Sequence, residues 1–221
     1  MCCLFLAASS TVAIAQTNVV DLVNPIIGTN GMGHTFPGAC VPFGLVQLSP
    51  DTDTIPHNVD GKYQPRSYEY CAGYQHKDSS IVGFSHTHFS GTGHSDLGDI
   101  LIMPTTGTLK LNPGTATNPD GGYRSRFSHD TEISRPGYYE VMLADYGVKA
   151  QLTTTQRAGI HKYTYPTNSE NQRIILDMIH GIYNYDGKVL WTNIRVENDT
   201  LVTGYRITNG WARTNYTYFA M

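Results

Sequence analysis

The sequence predicts an all-β protein built as an antiparallel β-sandwich. Short apolar runs alternate with polar residues, turn signals such as Asp120-Gly121-Gly122 and Asp186-Gly187 separate them, and no long segment has a helical period. The 15 tyrosines and 22 glycines suit strands joined by tight turns. A chain of this length buries a sizeable core. We therefore treat residues 16–221 as one domain.

The predicted strands follow a tightly shaped loop. Residues 19–29 fit either a short helix or a strand, and residues 30–44 contain too many glycines and prolines for a regular helix. We predict a strand and turn at 45–52 and a polar surface loop at 54–66. Further strands are predicted within these ranges: 80–88, 100–111, 137–166, 173–180, 188–208 and 216–221.

The N-terminal segment, residues 1–15, has the features of a secretory signal peptide. An apolar run ends in the small-x-small pattern Ala13-Ile14-Ala15, although no Lys or Arg precedes the run and the basic leading region is therefore incomplete. We expect a secreted or periplasmic protein, with a buried N-terminal helix as the alternative. Cleavage leaves Cys40 and Cys71, and the sequence leaves open whether they pair.

Composition disfavours several classes of partner. The formal net charge is −3 and 15% of the residues are charged, so nothing favours nucleic acid or another polyanion. No later apolar run is long enough to span a bilayer. The sequence stops at Met221 within an aromatic strand pattern, and for this reason we expect a chain that is truncated before the end of its domain.

The densest group of chemically active side chains is the segment GFSHTHFSGTGHSDLGD, residues 83–99. In an extended strand His86 and His88 would point to the same face, as the two imidazoles of a zinc site do. His94 and Asp96 would complete a four-ligand set, so a stand-alone zinc hydrolase is one hypothesis. No G-x-S-x-G elbow surrounds the serines and no Lys-Ser/Thr follows the glycines, so a serine hydrolase and a phosphate loop are disfavoured.

The same segment also suits one wall of a sugar-binding site. Its polar side chains supply hydrogen-bond donors and acceptors, its aromatic neighbours supply stacking faces, and its glycines let backbone amides approach a ligand closely. A second Gly/His loop at Gly33-His34 favours a site over a set of ordinary buried histidines. A glycosidase also needs two carboxylic acids, and the spacing of the carboxylates in this region singles out no such pair.

Longer motifs resemble a known family. Residues 23–52 (VNPIIGTNGMGHTFPGACVPFGLVQLSPDT) and 70–104 (YCAGYQHKDSSIVGFSHTHFSGTGHSDLGDILIMP), with the later SRPGYYEVML and GYRITNGWA, closely resemble the N-terminal domain of glycoside hydrolase family 92, the exo-acting α-mannosidases. The resemblance extends from about residue 23 to the end of the sequence. It implies an N-terminal β-sandwich that packs against a C-terminal (α/α)6 barrel, and the barrel lies outside these 221 residues.

The resemblance also implies a function and a division of labour. Members of the family are calcium-dependent and invert the anomeric centre, and their general acid, general base and most of the calcium environment come from the barrel. We therefore expect no catalytic residue and no metal ligand in this chain, and no activity from the chain alone. The expected partners are mannose-containing glycans and the barrel domain itself. A carbohydrate-binding domain without a catalytic partner remains an alternative.

Motif positions imply which residues line the sugar pocket. The family motifs GHTFPGA and GFSHTHLSGTG are present here, with Phe89 in place of the usual leucine. Tyr68 stands where many α-1,2-acting members have a tryptophan, which puts that linkage preference in doubt, and His94 replaces a usual cysteine. The predicted substrate-binding residues are His34, Tyr68, His86, His88, Thr92 and Asp96.

Overall fold

The structure is a computed structural model that describes residues 18–94 and 96–221. The predicted signal segment, residues 1–15, lies outside the described residues. All regular strands pair antiparallel, so the predicted all-β class is confirmed. Among the described residues the only helices are four 3-10 turns, which are Val19–Leu22, Pro65–Tyr68, Pro119–Gly121 and His129–Thr131. None of them is long and apolar enough to cross a membrane.

Fifteen strands make up the described fold. In chain order they are β1 Ser49–Asp51, β2 Asn58–Val59, β3 Lys62–Tyr63, β4 Ser80–Ile81, β5 Gly83–Ser85, β6 Leu101–Thr105, β7 Ser125–Arg126, β8 Ile133–Arg135, β9 Tyr138–Leu143, β10 Val148–Thr154, β11 Gly159–Thr164, β12 Arg173–Asp177, β13 Val189–Asn198, β14 Leu201–Thr208 and β15 Asn215–Ala220. The larger sheets have the orders β1-β5-β6-β12, β11-β10-β9-β8 and β13-β14-β15, and β2-β3 and β4-β7 form small pairs.

The hydrophobic core lies between the first two larger sheets. Strands β9 and β10 alternate buried and half-buried residues along their whole length, because one face of their sheet meets the core and the other faces outward. Tyr139, Val141 and Leu152 belong to that inner face. Opposite them β6 is buried throughout, and Phe84 and Leu101 join the same cluster. The predicted sandwich is this pair of sheets.

One strand boundary differs from the sequence prediction in a way that matters for the site. A strand was predicted over residues 80–88, but β5 ends at Ser85, so His86 and His88 lie beyond it. The chain there continues through single backbone hydrogen bonds, from His86 N to Asp99 O (3.0 Å) and from Gly98 N to Thr87 O (2.9 Å). The expectation that both imidazoles share one strand face is therefore wrong.

The two cysteines that would survive signal cleavage lie in different environments. Cys40 is exposed and Cys71 is buried, and no disulfide joins the two. The fold is therefore held together by the sheet core and by the buried polar groups described below. One of those groups, around Asp51, lies where β1 and β5 run side by side, with Ser49 opposite Ser85 and Asp51 opposite Gly83.

Candidate functional site

Asp51 anchors a fully buried polar cluster beneath the His-rich segment. Its Oδ1 accepts a hydrogen bond from His88 Nε2 (2.8 Å) and its Oδ2 accepts one from His180 Nε2 (2.7 Å). Burial alone would raise the pKa of Asp51, but the charges and hydrogen bonds of His88 and His180 outweigh burial and hold that pKa well below its usual range. The carboxylate therefore stays ionised between two imidazoles.

His88 is bound on both ring nitrogens, which defines what it can do. Its Nδ1 donates to Gln47 O (2.7 Å), while its Nε2 faces both Asp51 and Ser85 Oγ (3.2 Å). A serine nucleophile triad places the serine and the carboxylate on opposite nitrogens of the imidazole. Here both lie at the same nitrogen, and the His88 side chain has no exposed surface. In this conformation the His88 side chain supports the loop from inside, and its role in substrate binding stays a prediction.

His86 belongs to a second buried network. A chain of three hydrogen bonds runs from Tyr163 Oη to His161 Nδ1 (2.7 Å), from His161 Nε2 to His86 Nε2 (3.0 Å), and from His86 Nδ1 to Ile100 O (2.6 Å). Each donor finds one acceptor only if both imidazoles are neutral. Burial, with a smaller contribution from the neighbouring His86, lowers the pKa of His161 to about 3, and burial likewise lowers the pKa of His86.

Asp96 is held by the third larger sheet and its flanking loop. Its carboxylate pairs with the buried Lys188 amine and accepts hydrogen bonds from the backbone nitrogens of Trp211 and Leu97, each 2.9 Å long. Burial would raise the pKa of Asp96, but Lys188 and the two backbone donors lower it overall. The whole carboxylate is occupied in this conformation, and a role for Asp96 in substrate binding stays a prediction.

Arg206 makes a second buried connection from the same sheet. Its Nε lies 3.1 Å from Asp99 Oδ1, close enough for an ion pair but not aligned as a hydrogen bond, and its Nη1 donates to His180 O (2.6 Å). Asp99 Oδ2 in turn accepts from Thr87 Oγ1 (2.7 Å). The His-rich segment is thus fixed to β14 by charge, and its position depends on that hairpin.

The four proposed zinc ligands do not come together. His88 is bound to Asp51, His86 to His161 and Asp96 to Lys188, while His94 stacks on Trp211 with ring centroids 4.8 Å apart. Within residues 18–94 and 96–221 the one group of three side chains with metal-binding geometry lies elsewhere, and it consists of the exposed His129 and the half-buried His76 and Glu132. The geometry therefore gives no support to the zinc-hydrolase hypothesis.

Three of the predicted sugar-binding residues do meet. The His34 and Tyr68 rings make an edge contact with centroids 4.7 Å apart, and the amide of Gly91 donates to His34 O (2.6 Å), which brings Thr92 beside them. A Cβ on Gly93 would lie 2.2 Å from Tyr68 Oη, so only glycine lets the phenol reach the loop backbone there. We call this group, formed by His34, Tyr68 and Thr92, the open cluster.

The open cluster has unused hydrogen-bonding capacity. His34 Nε2 and Thr92 Oγ1 are both buried and have no hydrogen-bond partner, whereas Tyr68 is 40% exposed. His34 also has a positive φ of 53°. This backbone conformation is uncommon for residues other than glycine, and the surrounding structure must hold it in place. Unsatisfied polar atoms beside an exposed aromatic ring are the features expected where a polar ligand completes the hydrogen bonding.

A groove lies beside the His-rich segment. Its volume is about 970 Å³. The residues that line it include 43–47, 86–89, 157–159, His161 and 215–221. His34, Tyr68 and Thr92 do not line it. The predicted pocket residues are therefore divided: His86 and His88 lie under this groove, and the open cluster lies apart from it.

Sequence reasoning missed the partners that hold the segment in place. Asp51, His180 and Lys188 come from positions far apart in the chain and carry no local motif. One indication of these partners was present in the sequence. Ionisable residues such as Asp51, His180 and Lys188 stand within or beside predicted strands that are otherwise apolar. A buried histidine requires such a partner, but its sequence position follows from the sheet pairing alone.

Comparison with known proteins shows which sequences and structures this chain resembles. The model of the glycosyl hydrolase family 92 N-terminal domain matches residues 22–221. A family 92 α-mannosidase from Bacteroides thetaiotaomicron, solved in complex with mannoimidazole, is 46% identical with a TM-score of 0.82 over 91% of this chain and 25% of its own. A further structure of that enzyme has a TM-score of 0.81 at the same identity and coverage.

Two further relatives are more distant in sequence. A family 92 glycosyl hydrolase called ccman5 is 24% identical and has a TM-score of 0.70 over 92% of this chain and 26% of its own. An uncharacterized secreted glycosidase from Arthroderma benhamiae is 29% identical over 170 residues, which is 73% of this chain and 19% of that protein. The chain thus spans about a fifth to a quarter of the length of these relatives.

Proposed function

We propose that this chain, which belongs to glycosyl hydrolase family 92, is the sugar-binding N-terminal domain of a secreted, calcium-dependent, inverting exo-α-mannosidase that releases mannose from glycans. The observation that carries the proposal is the open cluster. A hexose ring stacks its C–H face on an aromatic side chain and exchanges hydrogen bonds through its hydroxyls. Tyr68 offers the face, and His34 Nε2 and Thr92 Oγ1 offer unused polar atoms.

Inverting hydrolysis needs an acid and a base on opposite faces of the scissile bond. Asp51 is hydrogen-bonded to two buried histidines, and Asp96 and Asp99 are paired with Lys188 and Arg206, so we assign neither role to them. We propose that both groups, and the calcium ion, belong to an (α/α)6 domain of the same protein that faces the open cluster. This chain then contributes binding and orientation of the terminal mannose, and the facing domain contributes the proton transfers.

The division of labour is tested by comparing the 221-residue chain with a longer protein that includes the facing domain. With an aryl α-mannoside we expect turnover only from the longer protein. Removal of calcium with a chelator should abolish that turnover, and proton NMR should show the β-anomer as the first product. Robust hydrolysis by the 221-residue chain alone would overturn the proposal.

The role of the open cluster is tested by binding to the same chain. We expect a mannose-configured ligand such as mannoimidazole to perturb the NMR signals of the loops around His34 and Thr92. A Tyr68→Ala variant should lose most of this binding, while Tyr216→Ala, which removes an exposed tyrosine from β15, should retain it. Equal loss in both variants, or perturbation confined to the groove beside His161, would place the sugar elsewhere. The non-catalytic alternative would be correct if the chain binds glycans and the longer protein, with its additional domain, does not hydrolyse them.

A further inference from the structure

We propose that His76, His129 and Glu132 form a binding site for a divalent transition-metal ion, with Zn²⁺ as the expected occupant. One ligand atom from each side chain lies within 4.8 Å of the other two. The site is independent of the sugar-binding proposal, because none of its members belongs to the open cluster or to the His-rich segment. It also differs from the calcium site implied by the family, since Ca²⁺ prefers oxygen ligands and this group offers two imidazoles.

Glu132 is the fixed member of the group. Its side chain is only 3% exposed. Tyr74 Oη donates to both carboxylate oxygens (2.8 and 3.0 Å) and Tyr139 Oη donates to Oε1 (2.7 Å). Burial and the charge of Glu132 raise the pKa of both phenols, so they remain donors. A buried carboxylate oriented by outer hydrogen-bond donors is the arrangement that supports metal ligands in proteins.

His129 reaches the carboxylate through the geometry of a 3-10 turn. Side chains three residues apart eclipse one another in such a turn, and His129–Thr131 is immediately followed by Glu132. His129 Nδ1 lies 2.6 Å from Glu132 Oε2. Metal ligation by imidazole requires a deprotonated nitrogen, so an entering cation would take the place of the proton in this hydrogen bond.

His76 supplies the observation that points to a missing ligand. Its Nδ1 is buried and has no hydrogen-bond partner, although its ring lies against that of His129 with centroids 3.9 Å apart. An unpaired buried imidazole nitrogen loses the hydration it would have in water and gains nothing in return. A cation bound between the two rings and the carboxylate would use this nitrogen and neutralise the buried charge of Glu132.

The donor set determines which metal fits. Two imidazoles and one carboxylate, with a fourth position for water, form a common tetrahedral zinc arrangement. Ligand atoms about 2.1 Å from zinc are about 3.4 Å from each other, so the group must contract from its present spacing. The two imidazoles must supply this contraction, because the carboxylate is held by Tyr74 and Tyr139.

Metal binding would link two parts of the fold. The backbone nitrogen of His76 donates to Thr29 O (2.8 Å), and the neighbouring Gln75 side chain bonds Gly31 in both directions (2.8 and 3.0 Å). These contacts connect the site to the loop at residues 29–31, which precedes His34 in the chain. A bound ion would therefore tie that loop to the turn that precedes β8.

The test is a zinc titration of the metal-stripped 221-residue chain by isothermal calorimetry, with calcium titrated in parallel. We expect one zinc per chain, no calcium heat, and a higher melting temperature in the presence of zinc. The variants His76→Ala and His129→Ala should lose the stoichiometric binding and the thermal shift. His94→Ala removes an exposed imidazole outside the group and is the matched control, which should bind as the unaltered chain does.

A second variant separates metal ligation from a purely structural role. Tyr74→Phe keeps the ring in the core and removes one donor to Glu132, so zinc affinity should fall about 10- to 100-fold while the chain stays folded. Co²⁺ substitution should give visible absorption bands of a tetrahedral ion in the unaltered chain and weaker ones in His76→Ala. Zinc binding that survives the His76→Ala and His129→Ala double variant, or that is lost in His94→Ala, would overturn the proposal, as would the absence of stoichiometric binding.

Discussion

The buried cluster around Asp51 and the open cluster around Tyr68 both contain histidine, but their hydrogen bonding differs. Asp51, His88 and His180 are joined by hydrogen bonds of 2.7 to 2.8 Å and have almost no exposed surface. In the open cluster two buried polar atoms have no partner and an aromatic ring faces outward. A saturated cluster can only stabilise a fold, whereas an unsaturated one retains hydrogen bonds for a ligand.

The comparison also explains why a histidine-rich motif is a poor guide to chemistry by itself. His86, His88 and His94 lie within nine residues, yet they contact a neutral histidine, a buried aspartate and an exposed tryptophan respectively. Which of them is available depends on partners contributed by β1, β11 and the loop after β14. The sequence motif therefore marks the position of a site without identifying the residues that act in it.

Replacing Asp51 by asparagine should have the largest effect. The substitution removes the buried negative charge that accepts a hydrogen bond from each imidazole, and breaking such a buried pair costs about 3 to 5 kcal/mol. The free energy of unfolding, measured by urea denaturation, should fall by that amount. Asp186→Asn, at an exposed turn, should change it by less than about 0.5 kcal/mol. A loss of sugar binding with unchanged stability would show that Asp51 belongs to the open cluster after all.

Replacing Asp96 by asparagine should also act on stability, but less strongly. Lys188 would remain buried without a counter-ion, and the partial exposure of Asp96 reduces the expected cost to about 2 to 3 kcal/mol. Urea denaturation again gives the measurement, and tryptophan fluorescence should report release of Trp211, whose amide the carboxylate binds. Should the variant keep full stability and lose only sugar affinity, the prediction that Asp96 contacts substrate would be correct.

Acidification should weaken the fold through the His86–His161 pair. The pKa of His161 is about 3 in the fold and about 6.5 in an unfolded chain, so the unfolded state binds more protons between these values and stability falls as pH decreases through that window. Between pH 7 and pH 5 the loss is about 2 kcal/mol. Urea denaturation at both pH values tests this expectation.

Two variants identify the group responsible for that pH dependence. His161→Gln keeps a donor for His86 Nε2 but does not titrate, so most of the difference between pH 7 and pH 5 should disappear. His94→Gln changes an exposed imidazole and should leave the difference in place. A pH dependence that persists in His161→Gln would assign it to other groups. Asp51 does not interfere, because its depressed pKa affects stability only below the usual carboxylate range.

Local patterns in the sequence were enough to predict the sheets. The alternation along β9 and β10 and the turn at Asp186-Gly187 specify strands and their core face, since side-chain direction follows the two-residue period of a strand. The same logic failed at His86 and His88, because β5 ends at Ser85 and the chain leaves the regular ladder there. A strand boundary set by sheet pairing is not visible in the local pattern.

The sites were harder to predict, for a physical reason. His34, Tyr68 and Thr92 were expected from family motifs, and the structure brings them together. His180 was not expected, because its contact with Asp51 spans 129 positions and depends on the whole sheet order. The group of His76, His129 and Glu132 was missed for the same reason, since a loop and a turn from separate parts of the chain meet only in the folded state.

The smallest expected change in the free energy of unfolding comes from replacing Thr92, whose hydroxyl has no hydrogen-bond partner. Thr52, whose hydroxyl has one, is the matched comparison. Thr92 Oγ1 is buried without a partner, so Thr92→Val should leave the free energy of unfolding unchanged or raise it by up to about 1 kcal/mol, while weakening mannoside binding. Thr52 Oγ1 accepts from Gln75 N (3.0 Å) in a buried position, and Thr52→Val should cost about 1 to 3 kcal/mol. Equal destabilisation by the two substitutions would mean that Thr92 already has a structural partner, and that the open cluster is closed to a ligand.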